Sequence, residues 1–145
     1  MGQAHKVVFY PVGNADTSQI ITHNGKRFLF DFFHCKESED PKDPRIDLKA
    51  RLRKELKEAK RDYFDVVAFS HSDRDHICGS TDFFELRHAK KYQGEDRIKI
   101  EELWLPAAMI CEDVAIDEKS EEFAIWRAEG RHRLLDGKGI KVFSK

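Results

Sequence analysis

The sequence predicts an α/β fold in the layered α+β sense, with helices stacked against a sheet. Three observations predict it. Short β-branched and aromatic runs fill the N-terminal part, apolar stripes at helical spacing follow, and residues 64–69 are apolar at almost every position. The order of runs reads β-β-β-α-β-α-β-α-β, with no repeat and no low-complexity tract. At 145 residues the chain fits one domain, spanning residues 1–145.

Taken in order, residues 6–12 read as a first strand that ends in a turn at Pro11 and Gly13. Residues 18–23 and 26–31 are two further apolar runs, and Asn24-Gly25 between them is a strong hairpin signal because both residues tolerate positive φ. Residues 34–44 are polar and proline-bearing, which predicts a loop. Asp43-Pro44 resembles an N-cap followed by a helix-opening proline, and Leu48, Leu52, Leu56 and Ala59 form one apolar stripe running to Lys60. Residues 64–69 predict a strand buried on both faces. A second helix is expected over residues 81–91, a strand over 98–105 closed by Pro106, a third helix over 119–135, and a last strand from Ile140. Trp104 and Trp126 are expected in the core.

Composition excludes several classes. With 26 basic and 27 acidic residues the net charge is -1, so no global basic field advertises nucleic acid. Local cationic runs such as Arg51-Leu52-Arg53-Lys54 fit solvated helix faces. Cys35, Cys78 and Cys111 are odd in number and widely spaced, which matches neither a disulfide framework nor a CxxC ribbon. Free thiols, no apolar leader run and no stretch of membrane-spanning length predict a cytoplasmic protein without a membrane partner.

The chemistry concentrates in Ser70-His71-Ser72-Asp73-Arg74-Asp75-His76, directly after the buried strand. Two imidazoles and two carboxylates fall between His71 and His76, and all four are ligand types for first-row metals. In an extended segment His71, Asp73 and Asp75 share a side. Carboxylates packed this closely repel unless a cation or water lies between them. A metal loop therefore competes with a solvated loop in which Asp75 or Ser80 caps the next helix. Gly79 would let the backbone leave tightly.

These residues resemble the metallo-β-lactamase superfamily, marked by a His-x-His-x-Asp-His loop after a buried strand. Here Asp73 stands where that pattern has its second histidine, a variant similar to the β-lactamase-like domain of DNA-uptake competence proteins. Val12-Gly13-Asn14-Ala15-Asp16-Thr17-Ser18 resembles that group's Val-Gly-x-Gly-Asp turn, with Ala15 replacing the usual glycine, and Phe28-Leu29-Phe30-Asp31 resembles its hairpin strand ending in Asp. The likeness covers roughly residues 6–110. It implies half of an αββα sandwich, with a mixed, mostly antiparallel sheet and helices on one face.

The resemblance also implies two divalent ions, zinc or manganese. His71 and Asp73 would bind one; Asp75 and His76 would bind the other, with Asp75 also taking a proton from the attacking water. Asp31 would lie beneath the site as a floor residue and Asp16 would face the cleft. The implied activity is metal-dependent hydrolysis of a phosphodiester, nuclease-like, with DNA as a candidate substrate. A small-molecule ester, lactone or cyclic-nucleotide hydrolase is the competing enzyme reading, and a non-catalytic module keeping the fold is a third. The family pattern needs further ligands, and His5, His23, His34, His88 and His132 are not expected to supply them. The chain accordingly reads as the N-terminal half of a longer protein, expected to form a homodimer or to associate with the missing half.

Overall fold

The computed structural model describes residues 4–111 and 121–144. Its centre is one six-stranded sheet in which spatial order repeats chain order. Strands β1 (Lys6–Phe9), β2 (Ser18–Ile21) and β3 (Arg27–Phe30) form an antiparallel meander. Gly25, at φ +85°, closes the β2–β3 turn as its sequence predicts. The first strand is shorter than expected, because Tyr10 and Val12 leave the sheet and bury their side chains instead.

From β3 onward the sheet is parallel, through β4 (Tyr63–Ala68), β5 (Lys99–Pro106) and β6 (Ile140–Phe143). The mixed sheet is as predicted, but two antiparallel pairings against three parallel ones overturn the expectation that antiparallel pairs dominate. The reason lies in the connections: each link after β3 passes over one face before returning, and such crossovers bring the chain back in the same direction.

Helix α1 (Leu48–Glu58) buries Leu48, Leu52 and Leu56 at helical spacing. Its N-cap is Asp47, which accepts the Ala50 amide; Asp43, the predicted cap, instead grips Arg45 through its amide, Nε and Nη2, each at 2.9 Å. A short helix α2 (Arg74–Ile77) follows β4. The helix expected over residues 81–91 does not form: two 3-10 turns, Ser80–Asp82 and Lys90–Tyr92, flank a bridge between Phe84 and Ile98. Helix α3 (Ala107–Cys111) extends β5, and α4 (Glu121–Asp136) packs beside it; the predicted start of this last helix at residue 119 lies outside the described residues.

Leu29, Val67 and Leu103 stand in register on one sheet face and share a single core with the α1 leucines, Phe123 and Trp126. The helices therefore lie on that face. In register on the other face, beside the buried Ala68, Phe9, Phe30 and Trp104 are far less covered, Phe9 being 80% exposed. Trp104 is thus only half-buried, contrary to expectation; its indole donates to Glu102 at 2.6 Å. No helix among the described residues is long and apolar enough to cross a membrane.

Helix α4 ties the irregular stretch after α2 to the body. Glu122 accepts the amides of Gly79 at 3.0 Å and Thr81 at 3.1 Å. Glu129, fully buried, accepts the amides of Arg87 and His88, the His88 ring and Arg133 Nε. Those carboxylates accept from backbone amides that a helix would otherwise have satisfied internally.

Candidate metal centre

The candidate site grows from the C-terminal ends of two neighbouring parallel strands. Asp31 follows β3 in a left-handed conformation, φ +60°, and its amide donates to the Ala68 carbonyl at 2.8 Å. That turn lifts its carboxylate to the start of the loop leaving β4. Asp31 Oδ1 accepts the Ser70 amide at 2.7 Å and Oδ2 accepts the Ser70 hydroxyl at 2.6 Å. Burial pushes the Asp31 carboxyl above its ordinary range, while the Ser70 hydroxyl and amide, and the nearby His76 and His71 rings, pull it back.

Ser70 Oγ lies 2.9 Å from His71 Nδ1, and the rings of His71 and His76 stand 4.6 Å apart between centroids. His76 Nδ1 contacts Asp73 Oδ1, and its Nε2 lies 3.7 Å from Asp16 Oδ2. The backbone holds the loop from beneath, with the Phe32 amide on the His76 carbonyl and the His34 amide on the Cys78 carbonyl, both at 2.9 Å. Gly79 makes this approach possible: at φ +82°, a Cβ there would stand 2.8 Å from the His34 carbonyl oxygen.

The structure thus gathers His71, Asp73, His76 and Asp16, with Asp31 beneath through Ser70. Asp75 is placed elsewhere. It lines a cleft of about 400 Å³ with Gly13, Asn14, Ala15 and Arg45, whereas His71 lines a different cavity with Pro106 and Met109. The expectation that His71, Asp73 and Asp75 share a side therefore fails, because the extended segment ends at Asp73 and residues 74–77 turn helically.

Among the described residues no three His, Cys, Asp or Glu side chains stand ready to hold an ion as they are. The donor chemistry suits a hard or borderline divalent cation, with imidazole nitrogen beside carboxylate oxygen. The arrangement supplies it as pairs, His71 with His76 and His76 with Asp73, rather than as a closed cage.

Other histidines take structural posts. His88 pairs with Glu129 at 2.9 Å, His5 and His23 stack edge-on at 4.8 Å, and His132 lies exposed on α4. His34 is buried, with Nε2 3.2 Å from Glu39 Oε1 and Nδ1 without a hydrogen bond. Sequence reasoning missed two neighbours of the site. Ser70 was legible only as the residue before the motif, and Arg45, clamped by Asp43 next to Asp75, stood in a stretch read as a helix start.

No family model matches the chain, and no curated protein matches it.

Proposed function

We propose that this chain carries part of the active site of a metal-dependent hydrolase of the metallo-β-lactamase kind, acting on phosphodiesters. One observation carries the reading. A buried strand delivers two imidazoles to within 4.6 Å of each other, beside Asp73 and above a buried carboxylate. Side chains of this chemistry at the C-terminal ends of adjacent parallel strands support the reading of a site rather than a core.

His71, Asp73 and His76 are the residues that would hold divalent ions, zinc or manganese. Asp75, which opens on the neighbouring cleft, is the assignment that the geometry supports least. Such ions, when bound, polarise the scissile group and acidify water. The chain's own parts do the positioning. Asp31 and Ser70 fix the start of the loop, the Phe32 amide anchors His76, and Asp16 sets a carboxylate at the mouth.

A small-molecule ester, lactone or cyclic nucleotide is the second reading. A cavity of about 500 Å³, walled by Phe30, Trp104 and Phe143, reaches Asp31 and Ser70 and would suit an apolar substrate group. The same open sheet face is where a second copy, or a further part of a longer protein, would pack.

The test is calorimetric titration with manganese and zinc, followed by turnover of a chromogenic phosphodiester and a chromogenic carboxylic ester. Saturable metal binding lost in His71→Ala and His76→Ala is the expected result. No binding of either ion to the wild type would sink the proposal. A steep loss of turnover with salt marks a polyanionic substrate, and a flat profile marks a small ester.

A further inference from the structure

We infer that Ser70 is a positioning residue that sets the tautomer of His71, placing the ring proton on Nδ1 and making Nε2 the lone-pair nitrogen. Hydrogen-bond logic forces this. With its carboxyl ionised, above the raised value that burial gives it, Asp31 only accepts, and it receives two donors from the same residue, the Ser70 amide at 2.7 Å and the Ser70 hydroxyl at 2.6 Å. A serine hydroxyl has one proton. Once that proton points at Asp31 Oδ2, Oγ can offer His71 nothing but a lone pair. The nitrogen 2.9 Å away, His71 Nδ1, must then be the donor.

The direction of the relay is set by the backbone. The Asp31 amide is bonded to the Ala68 carbonyl, two residues before Ser70, and Phe30 is in register with Ala68. Asp31 is buried, 7% exposed, which keeps its carboxylate against the Ser70 hydroxyl. His76 differs, with carboxylates near both ring nitrogens, Asp73 at Nδ1 and Asp16 3.7 Å from Nε2. The hydrogen-bond argument therefore applies to His71, whose Nδ1 meets a hydroxyl with its proton already committed.

The tautomer rests on hydrogen bonding alone; its use, presenting Nε2 to a divalent cation, rests on the hydrolase reading. Orienting groups of this kind commonly change metal affinity by roughly ten- to a hundredfold.

Long-range nitrogen–proton correlation of the ¹⁵N-labelled protein, at a pH where the rings are neutral, reads the tautomer directly. In the wild type, His71 should show a protonated Nδ1 and a bare Nε2. Ser70→Ala should shift the His71 pattern towards protonated Nε2 and leave His76 unchanged, and Ser70→Thr should restore it. A wild-type His71 protonated on Nε2 would overturn the inference, whether or not any variant folds. So would a Ser70→Ala spectrum identical to the wild type in a protein of unchanged fold. Manganese titration separates the two layers. Wild-type binding that falls at least tenfold in Ser70→Ala supports the positioning role, and equal binding removes it. An absence of binding in the wild type counts against the hydrolase and leaves the spectrum to decide the tautomer.

Discussion

The ionic cluster on α4 and the imidazole cluster after β4 use similar side chains under opposite conditions. Glu129 is fully buried and accepts four hydrogen bonds, at 2.8, 3.1, 2.9 and 2.8 Å, from Arg87, His88 and Arg133. Arg133, 1% exposed, also donates to the Gly139 and Ile100 carbonyls. His71, Asp73 and Asp75 are exposed, and the contacts of the loop run in pairs through His76, to the His71 ring and to Asp73. Desolvation explains the contrast: a buried charge must be matched at every lone pair, whereas an exposed one keeps capacity for something else. The buried cluster ties α4 to the irregular stretch after α2, and the exposed one is the place where the proposed chemistry would act.

Mutation should separate the two regions sharply. Glu129→Ala leaves the Arg133 guanidinium buried without its counter-ion, and should lower unfolding stability by about 3–5 kcal/mol in urea denaturation. A loss no larger than that of a surface residue would erase the distinction. Gly79→Ala probes the junction between the regions. The positive φ and the 2.8 Å approach to His34 should together lower stability by about 1–3 kcal/mol.

His71→Ala, Asp73→Ala and Asp75→Ala should change stability by no more than about 0.5 kcal/mol while abolishing any metal-dependent turnover. A large destabilisation there would mean that the loop is part of the scaffold after all.

The smallest expected effect is in pH. Burial alone would raise Glu129, but Arg133, His88 and the Arg87 amide outweigh it and hold the carboxyl below its ordinary value. Its contribution is present above the unfolded carboxylate pKa and is lost as pH falls through the folded value. Asp31 behaves oppositely: burial raises it, so its contribution is present at low pH and fades as pH rises through the folded value. Following the Arg87 and Ser70 amide resonances in one acid titration should show Ser70 responding at the higher pH. Coincident midpoints would contradict the contrast.

The elements that obeyed local rules were legible in the sequence. The Asn24-Gly25 hairpin and the stripe of Leu48, Leu52 and Leu56 need only near neighbours, and both formed as read. The stretch 81–91 misled because Phe83, Phe84 and Leu86 suit an apolar helix face. The amides of Thr81, Arg87 and His88 instead donate to Glu122 and Glu129, some forty residues away, and no local pattern announces such partners. Strand directions were hidden for a similar reason, since a run such as residues 64–69 reads alike in parallel and antiparallel neighbours. The site residues were visible as a cluster, but their orientation was not. A single helical turn at residues 74–77 separates Asp75 from His71, and four residues are too few to carry a periodic signal.

Because each strand lies beside the one that precedes it in the chain, the sheet never needs to open to admit a later arrival. On a ribosome the β1–β3 meander can close first from local contacts, and every subsequent strand meets an edge already in place. Assembly would then proceed in one direction, with β6 as its growing front and the His71–His76 loop framed as soon as β5 docks.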